Sequence, residues 1–200
     1  MTPVGISRRG WLAVALLVAI QAAVLWGVFA LLPDEVDASI PNPIASLAPW
    51  PDDVDEPRDE RMARLDLVRA EALARAEEVQ GWRDSPRMLA ALVLSIGWHE
   101  TRFARVAPDR CPLDTGCDKG KAWHYFQTHT PKQRREDGWL GLSVATREAM
   151  RALRQGAAHC GGSGRTRLIG AVSLYATGKI CNWSGADARV RLAEWIVRRL

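Results

Sequence analysis

Residues 85–103 read SPRMLAALVLSIGWHETRF, and the fold turns on this stretch. Asp84 or Ser85 supplies an N-terminal cap, Pro86 suits the first turn, and Arg87 to about Phe103 continues a helix through an almost wholly apolar middle. A helix that is apolar on most sides must be surrounded by other elements, so this one is expected at the centre. It ends on one acid, Glu100. Counting back by helical neighbours, Glu100 shares a face with Ile96, Gly97, Val93, Leu92 and Leu89. A carboxyl set against that face loses hydration, and a helix C-terminus adds negative potential. Both effects favour the protonated form and make Glu100 a candidate general acid. The competing reading is an ordinary glutamate in a last turn, exposed or paired with Arg102 or Arg105; a lone Glu does not choose between them.

Working outward, Glu60 to Val79 places Leu65, Val68, Ala72, Leu73, Ala76 and Val79 at helical spacing. Beyond an irregular stretch from about Val106 to Pro131, three more helical patterns follow, roughly Ser143 to Gln155, Arg165 to Ala176 and Gly185 to Arg199. Gly178 stands where a C-terminal cap is wanted and Ser184 where an N-terminal cap is wanted. No run of alternating strand residues and no internal repeat interrupts them. The folded part, residues 60–200, is therefore expected to be all or nearly all helical.

The amino-terminal side differs in kind. Trp11 to Leu32 is a run of 22 residues without a charge, broken only by Gln21. At about 1.5 Å per residue it spans a hydrocarbon core of roughly 30 Å and reads as a transmembrane signal anchor. It is too long for a cleaved signal peptide and lacks a convincing cleavage site. Arg8 and Arg9 precede it, and Asp34, Glu35 and Asp37 follow it, so residues 1–10 are assigned to the cytoplasm and everything after Pro33 to the outside. The expected location is the inner (cytoplasmic) membrane, single-pass, with the folded domain in the periplasm or envelope. Residues 33–59, with Pro41, Pro43, Pro49, Pro51 and Pro57, read as an extended linker.

Residues 61–200 carry 24 basic and 14 acidic side chains, a surplus that attracts anionic polymers of any kind. Nucleic acid conflicts with an external domain, so none is expected as a partner. Cys111, Cys117, Cys160 and Cys181 all lie on the external, oxidising side, where two disulfides are the default. Local closure favours Cys111 with Cys117 and Cys160 with Cys181, although four cysteines allow three pairings. A metal site from Cys111, Cys117, His124 and His129 is disfavoured because the spacing lacks tight CxxC pairs. His99-Glu100 opens no HExxH motif, since Phe103 occupies the second His position. Neither a metal nor a cofactor is expected. The cluster Lys132, Arg134 and Arg135 could meet an anionic polymer but reads first as a solvated basic face, and His129 and His159 carry no assignable role.

Three separated segments carry a family resemblance. Ile96 to Phe103 is an apolar helix end with a Glu followed by a hydroxyl residue, Thr101. Gly120-Lys121-Ala122-Trp123-His124-Tyr125-Phe126-Gln127 is a Gly-containing loop ending in Gln. Ser173-Leu174-Tyr175-Ala176-Thr177-Gly178 is a helix end with Tyr and Gly. In this order they resemble the signature of the goose-type lysozyme and lytic transglycosylase superfamily, over about half of the chain. His124 stands where the family loop has Gly, and Ala176 where the third motif has Asn. The resemblance implies a lysozyme-like fold and cleavage of peptidoglycan glycan strands at the bond between N-acetylmuramic acid and N-acetylglucosamine. Glu100 would be the catalytic acid and base, and Thr101, Gln127, Tyr175, Tyr125 and Trp123 the substrate-binding set.

A lytic transglycosylase uses the sugar's own C6 hydroxyl as attacker, so one carboxyl serves both steps. A lysozyme-type hydrolase needs a second carboxylate, for which Asp109, Asp114 and Asp118 are candidates that read first as loop residues. A third reading keeps the fold without the cutting, as a peptidoglycan-binding module that anchors an envelope assembly. Trp98, Trp123 and Trp139 flank the expected cleft and either stack on sugar rings or fill the core. Secretion-system and phage-lysis assemblies are the partners such an anchored wall enzyme would serve.

Overall fold

Leu89 through Gly97 are buried without interruption, as expected for a central helix. The structure, a computed structural model, describes residues 42–47, 57–103, 122–129 and 138–200, without the side chains of 138–140. A 3-10 turn, Pro43–Ser46, comes first. The helices α1 (Arg58–Glu77), α2 (Pro86–Thr101), α3 (Gly138–Cys160), α4 (Gly164–Thr177) and α5 (Ala186–Val197) follow. Among the described residues the only extended pairing is one isolated bridge, Trp123 with Thr128. The all-helical reading therefore holds for this part of the chain.

Each helix forms for a local reason. Ser85 caps α2 by accepting from the Met88 N–H at 3.2 Å, with Pro86 in the first turn. At the other end Arg102, not glycine, takes the left-handed cap at φ 50°, its N–H donating to the Trp98 carbonyl. Gly178 ends α4 as expected, at φ 68°. Ser184 does not cap α5: Gly185 holds that position with no side-chain bond, and the Ala186 N–H donates to Trp183 O. Helix α3 runs about five residues further at each end than the pattern indicated, with Gly141 and Gly156 inside it rather than at its limits. Gly156 is needed there. A Cβ would meet the backbone of Ala171 at 2.8 Å, so it is the point where α3 and α4 cross closely.

The other helices surround α2, which packs on α1, α3 and α5, while α3 lies on α4 and α4 on α5. Leu65, Val68 and Ala72 of α1, Met150 and Leu153 of α3, Val172 of α4 and Val190 and Ile196 of α5 meet the α2 side chains in one core. Each fully buried Leu, Ile or Val contributes about 1.5 to 3 kcal/mol. Polar ties fix the register at the edges. Arg167 pairs with Asp84 at 2.6 Å, linking α4 to the entry of α2, and Arg165 pairs with Asp187 and Glu194 of α5.

The expected linker is not extended throughout. The Asn42 side chain accepts from the Ile44 N–H at 3.0 Å and donates to Asp66 of α1 at 2.9 Å, which seats Ile44 in the core with no exposed surface. An apolar residue in a Pro-rich stretch found a covered site on α1. Ile44→Ala is expected to cost about 2 to 4 kcal/mol in chemical denaturation of the full chain. A cost below about 0.5 kcal/mol would mean that the turn contributes nothing to the domain.

Residues 1–10, the expected anchor 11–32 and most of 33–59 lie outside the described residues. Among the described residues no helix is long and apolar enough to cross a membrane.

Candidate functional site

Glu100 sits in the last turn of α2 with its side chain about a quarter exposed. It does not face the purely apolar surroundings that its helical face implies, and Arg105 lies outside the described residues. The carboxylate meets Arg189 of α5, whose Nη2 donates to Oε1 at 2.8 Å. Arg102 turns instead toward the Trp98 ring, 5.9 Å from its centroid. The reason is topological: α5 packs along α2 and brings its arginine to the end of the central helix.

Arg189 is itself held. Its guanidinium lies 4.6 Å from the Trp183 ring centroid, and Nη1 donates to Gly185 O at 3.3 Å. The Trp183 ring lies over Gly185, where a Cβ would come within 2.4 Å of it. The Arg189 carbonyl accepts from the buried Ser95 hydroxyl at 2.7 Å. One polar residue inside an apolar helix thus anchors the backbone of the arginine that reaches the acid.

The loop of the second motif is pinned from two sides, by the acid helix and by α4. The Thr101 hydroxyl shares its proton between Gly97 O at 3.2 Å and Tyr125 O at 3.1 Å, and it accepts from the Phe103 N–H. The Tyr175 hydroxyl donates to Phe126 O. Phe103 and Phe126 are fully buried, edge to face, and a Cβ on Gly97 would come within 2.4 Å of the Phe103 ring and 3.0 Å of Phe126. Gly97 is the seat for those two rings. Arg64 of α1, also buried, donates to Phe103 O and closes the same corner from behind.

Of the expected substrate-binding set, Thr101 and Tyr175 are brought together with Glu100 but spend their hydroxyls on the loop backbone. Tyr125 is buried against Phe103 and His124 rather than presented on a surface. Trp123 is half-buried at the loop edge, paired through backbone bonds with Thr128. Gln127 closes the tight turn: at φ 50° its Nε2 donates to His124 O at 2.8 Å. His124 adopts φ 63°, the conformation a glycine would take without strain at that place in the loop. Its imidazole is buried with Nδ1 unpartnered, and burial pushes its pKa down to about 4. The residues that sequence reasoning missed are Arg189, Ser95, Gly97 and Arg64. Only Ser95 and Gly97 left a trace, as a polar residue and a gap within an apolar run.

The neighbouring titratable groups favour their neutral forms. Desolvation, then the charge of Arg189, lowers the pKa of His99 despite the opposing pull of Glu100. Burial raises that of Tyr175, and Glu100 adds to the rise, so the phenol stays a hydrogen-bond donor.

Cys160 and Cys181 form a disulfide, one of the two expected pairs. Cys111 and Cys117 lie outside the described residues. So do Asp109, Asp114, Asp118, Lys132, Arg134, Arg135 and the side chain of Trp139. Comparison of the chain with protein-family models, curated proteins and solved structures gave no match.

Proposed function

We propose that the chain is a membrane-anchored peptidoglycan lytic transglycosylase with a lysozyme-like domain, in which Glu100 is the single acid and base. One observation carries this reading. Three segments far apart in sequence, the helix ending in Glu100, the loop ending in Gln127 and the helix end carrying Tyr175, converge through the hydrogen bonds of Thr101 and Tyr175. That convergence is what the family resemblance requires. An acid on a rigid central helix beside a braced loop also suits a site that must hold its geometry.

In this mechanism the Glu100 carboxyl gives its proton to the glycosidic oxygen as the bond to the muramic acid carbon breaks. The resulting carboxylate then takes the proton of the C6 hydroxyl as that oxygen closes on the same carbon. The acid is restored and a 1,6-anhydro end is left. The basic surplus of residues 61–200 complements an anionic wall, and a disulfide between Cys160 and Cys181 fits an oxidising envelope compartment. Residues 11–32 are the proposed single-pass anchor, with the N-terminus in the cytoplasm.

A second reading, a wall-binding module without cleavage, draws on the Glu100–Arg189 ion pair and on the strained His124 in the loop. Digestion of purified peptidoglycan by the detergent-solubilised full chain, with soluble fragments identified by mass, separates the readings. Anhydro-ended fragments are expected. Fragments heavier by one water would make the protein a lysozyme-type hydrolase, and retention on the wall with no fragments would favour the binding module.

A further inference from the structure

An arginine beside a general acid looks at first like an obstacle, because an opposite charge favours the ionised carboxylate. The form of the contact resolves this. Arg189 reaches Glu100 through one nitrogen and one oxygen, Nη2 to Oε1, not through the two-pronged fork that locks both oxygens of a carboxylate. Oε2 has no hydrogen-bond partner among the described residues. If Oε2 carries the proton, Oε1 is the carbonyl oxygen and still accepts from Nη2. A single contact can therefore hold the side chain in both of its protonation states, with Oε2 the oxygen that gives and takes the proton.

The arginine is rigid enough to do this. A solvent-exposed ion pair is worth little because two long side chains must be ordered to make it. Here the guanidinium is already stacked on Trp183, tied to Gly185 O and carried on a backbone fixed by Ser95. Among the described residues the other charged groups on neighbouring elements have other partners, and Arg102 of α2 lies by the Trp98 ring. Arg64 of α1 donates to Phe103 O, and Arg147, Arg151 and Arg154 of α3 turn to Glu78, Glu148 and Gln80 O. Arg191 and Asp187 of α5 pair with each other. The groups that sense the pair are His99 of α2 and Tyr175 of α4.

We propose that Arg189 is the positioning residue of Glu100: it holds Oε1 through both halves of the reaction and turns Oε2 to the glycan. This rests on Glu100 being the acid and base of the proposed reaction.

The test compares the full chain with Arg189→Met, which keeps the bulk of the side chain without its charge, and Arg189→Lys, which keeps the charge without the planar fork. Arg189→Met is expected to lower kcat roughly ten- to hundredfold with KM within about twofold. Arg189→Lys, whose ammonium can still donate one hydrogen bond to Oε1, should recover part of the kcat that Arg189→Met loses, again with KM within about twofold. Wild type cutting no glycan would sink the transglycosylase reading and the proposal with it. Wild type cutting, with kcat of Arg189→Met within twofold or with the loss falling on KM, overturns the positioning role alone. If Arg189→Met fails to fold, Arg189→Gln takes its place, with helical content and thermal midpoint as the check.

Discussion

Glu100→Gln is expected to reduce glycan-strand cleavage by about a hundred- to ten-thousandfold, the range a general acid and base contributes. The substitution removes the proton that the leaving oxygen needs and the acceptor that the C6 hydroxyl needs, so both halves of the reaction suffer. It keeps nearly the same volume, and the amide oxygen still accepts from Arg189 Nη2 where Glu100 Oε1 does now, 2.8 Å away. The thermal midpoint should therefore stay within a few degrees of wild type, and the protein should still sediment with purified wall. The loss should fall on kcat rather than KM, because the proton is needed in the transition state and not in the bound ground state. Residual activity within a few fold of wild type in a folded variant would remove Glu100 from the chemistry altogether. Because loss of activity with retained wall binding is the expected outcome, a binding module is distinguished only by wild type cutting nothing.

How much of this was legible in the sequence depends on how local each signal was. The central helix was readable because capping, apolar content and terminal acid all lie within residues 85–103, and the structure buries Leu89 through Gly97 as that pattern implies. The Cys160–Cys181 pairing was readable for the same reason, since the two residues flank one helix. The surroundings of Glu100 were not. Its partner Arg189 lies 89 positions away on the last helix, and only the packing of α5 on α2 brings the two together. Helical periodicity describes the face of one helix and is silent about the charge a second helix adds. The loop contacts of Thr101 and Tyr175 were not legible either: their hydroxyls bond to the Tyr125 and Phe126 carbonyls. The positions a resemblance marks as near a site include those that hold a loop, and a hydroxyl in sequence carries no sign of whether it meets ligand or backbone. Ile44 shows the converse: proline density is read as extension, while one apolar side chain with Asn42 before it suffices to dock the segment.

Replacing Cys160 and Cys181 together by Ser is expected to lower the stability of the oxidised protein by about 3 kcal/mol, the entropy a cross-link over this loop length removes from the unfolded chain. The bridge spans a sequence separation of 21 residues and joins the end of α3 to the turn after α4. Its position ties it to the site as well as to stability. Gly170 of α4 makes room for it, since a Cβ there would lie 2.7 Å from that of Cys160. Two residues beyond Cys181, the Trp183 N–H donates to the buried Ser173 hydroxyl at 2.9 Å, and the Trp183 ring carries the Arg189 guanidinium. The double replacement should therefore lower cleavage more than the loss of folded protein explains. Denaturant unfolding and kcat measured on the same preparation separate the two effects. A stability loss without a change in kcat per folded molecule would mean that Ser173 alone holds Trp183. A full effect on both would make the disulfide part of what orients the acid, so that the oxidising compartment expected for this domain is also the one in which its site is assembled.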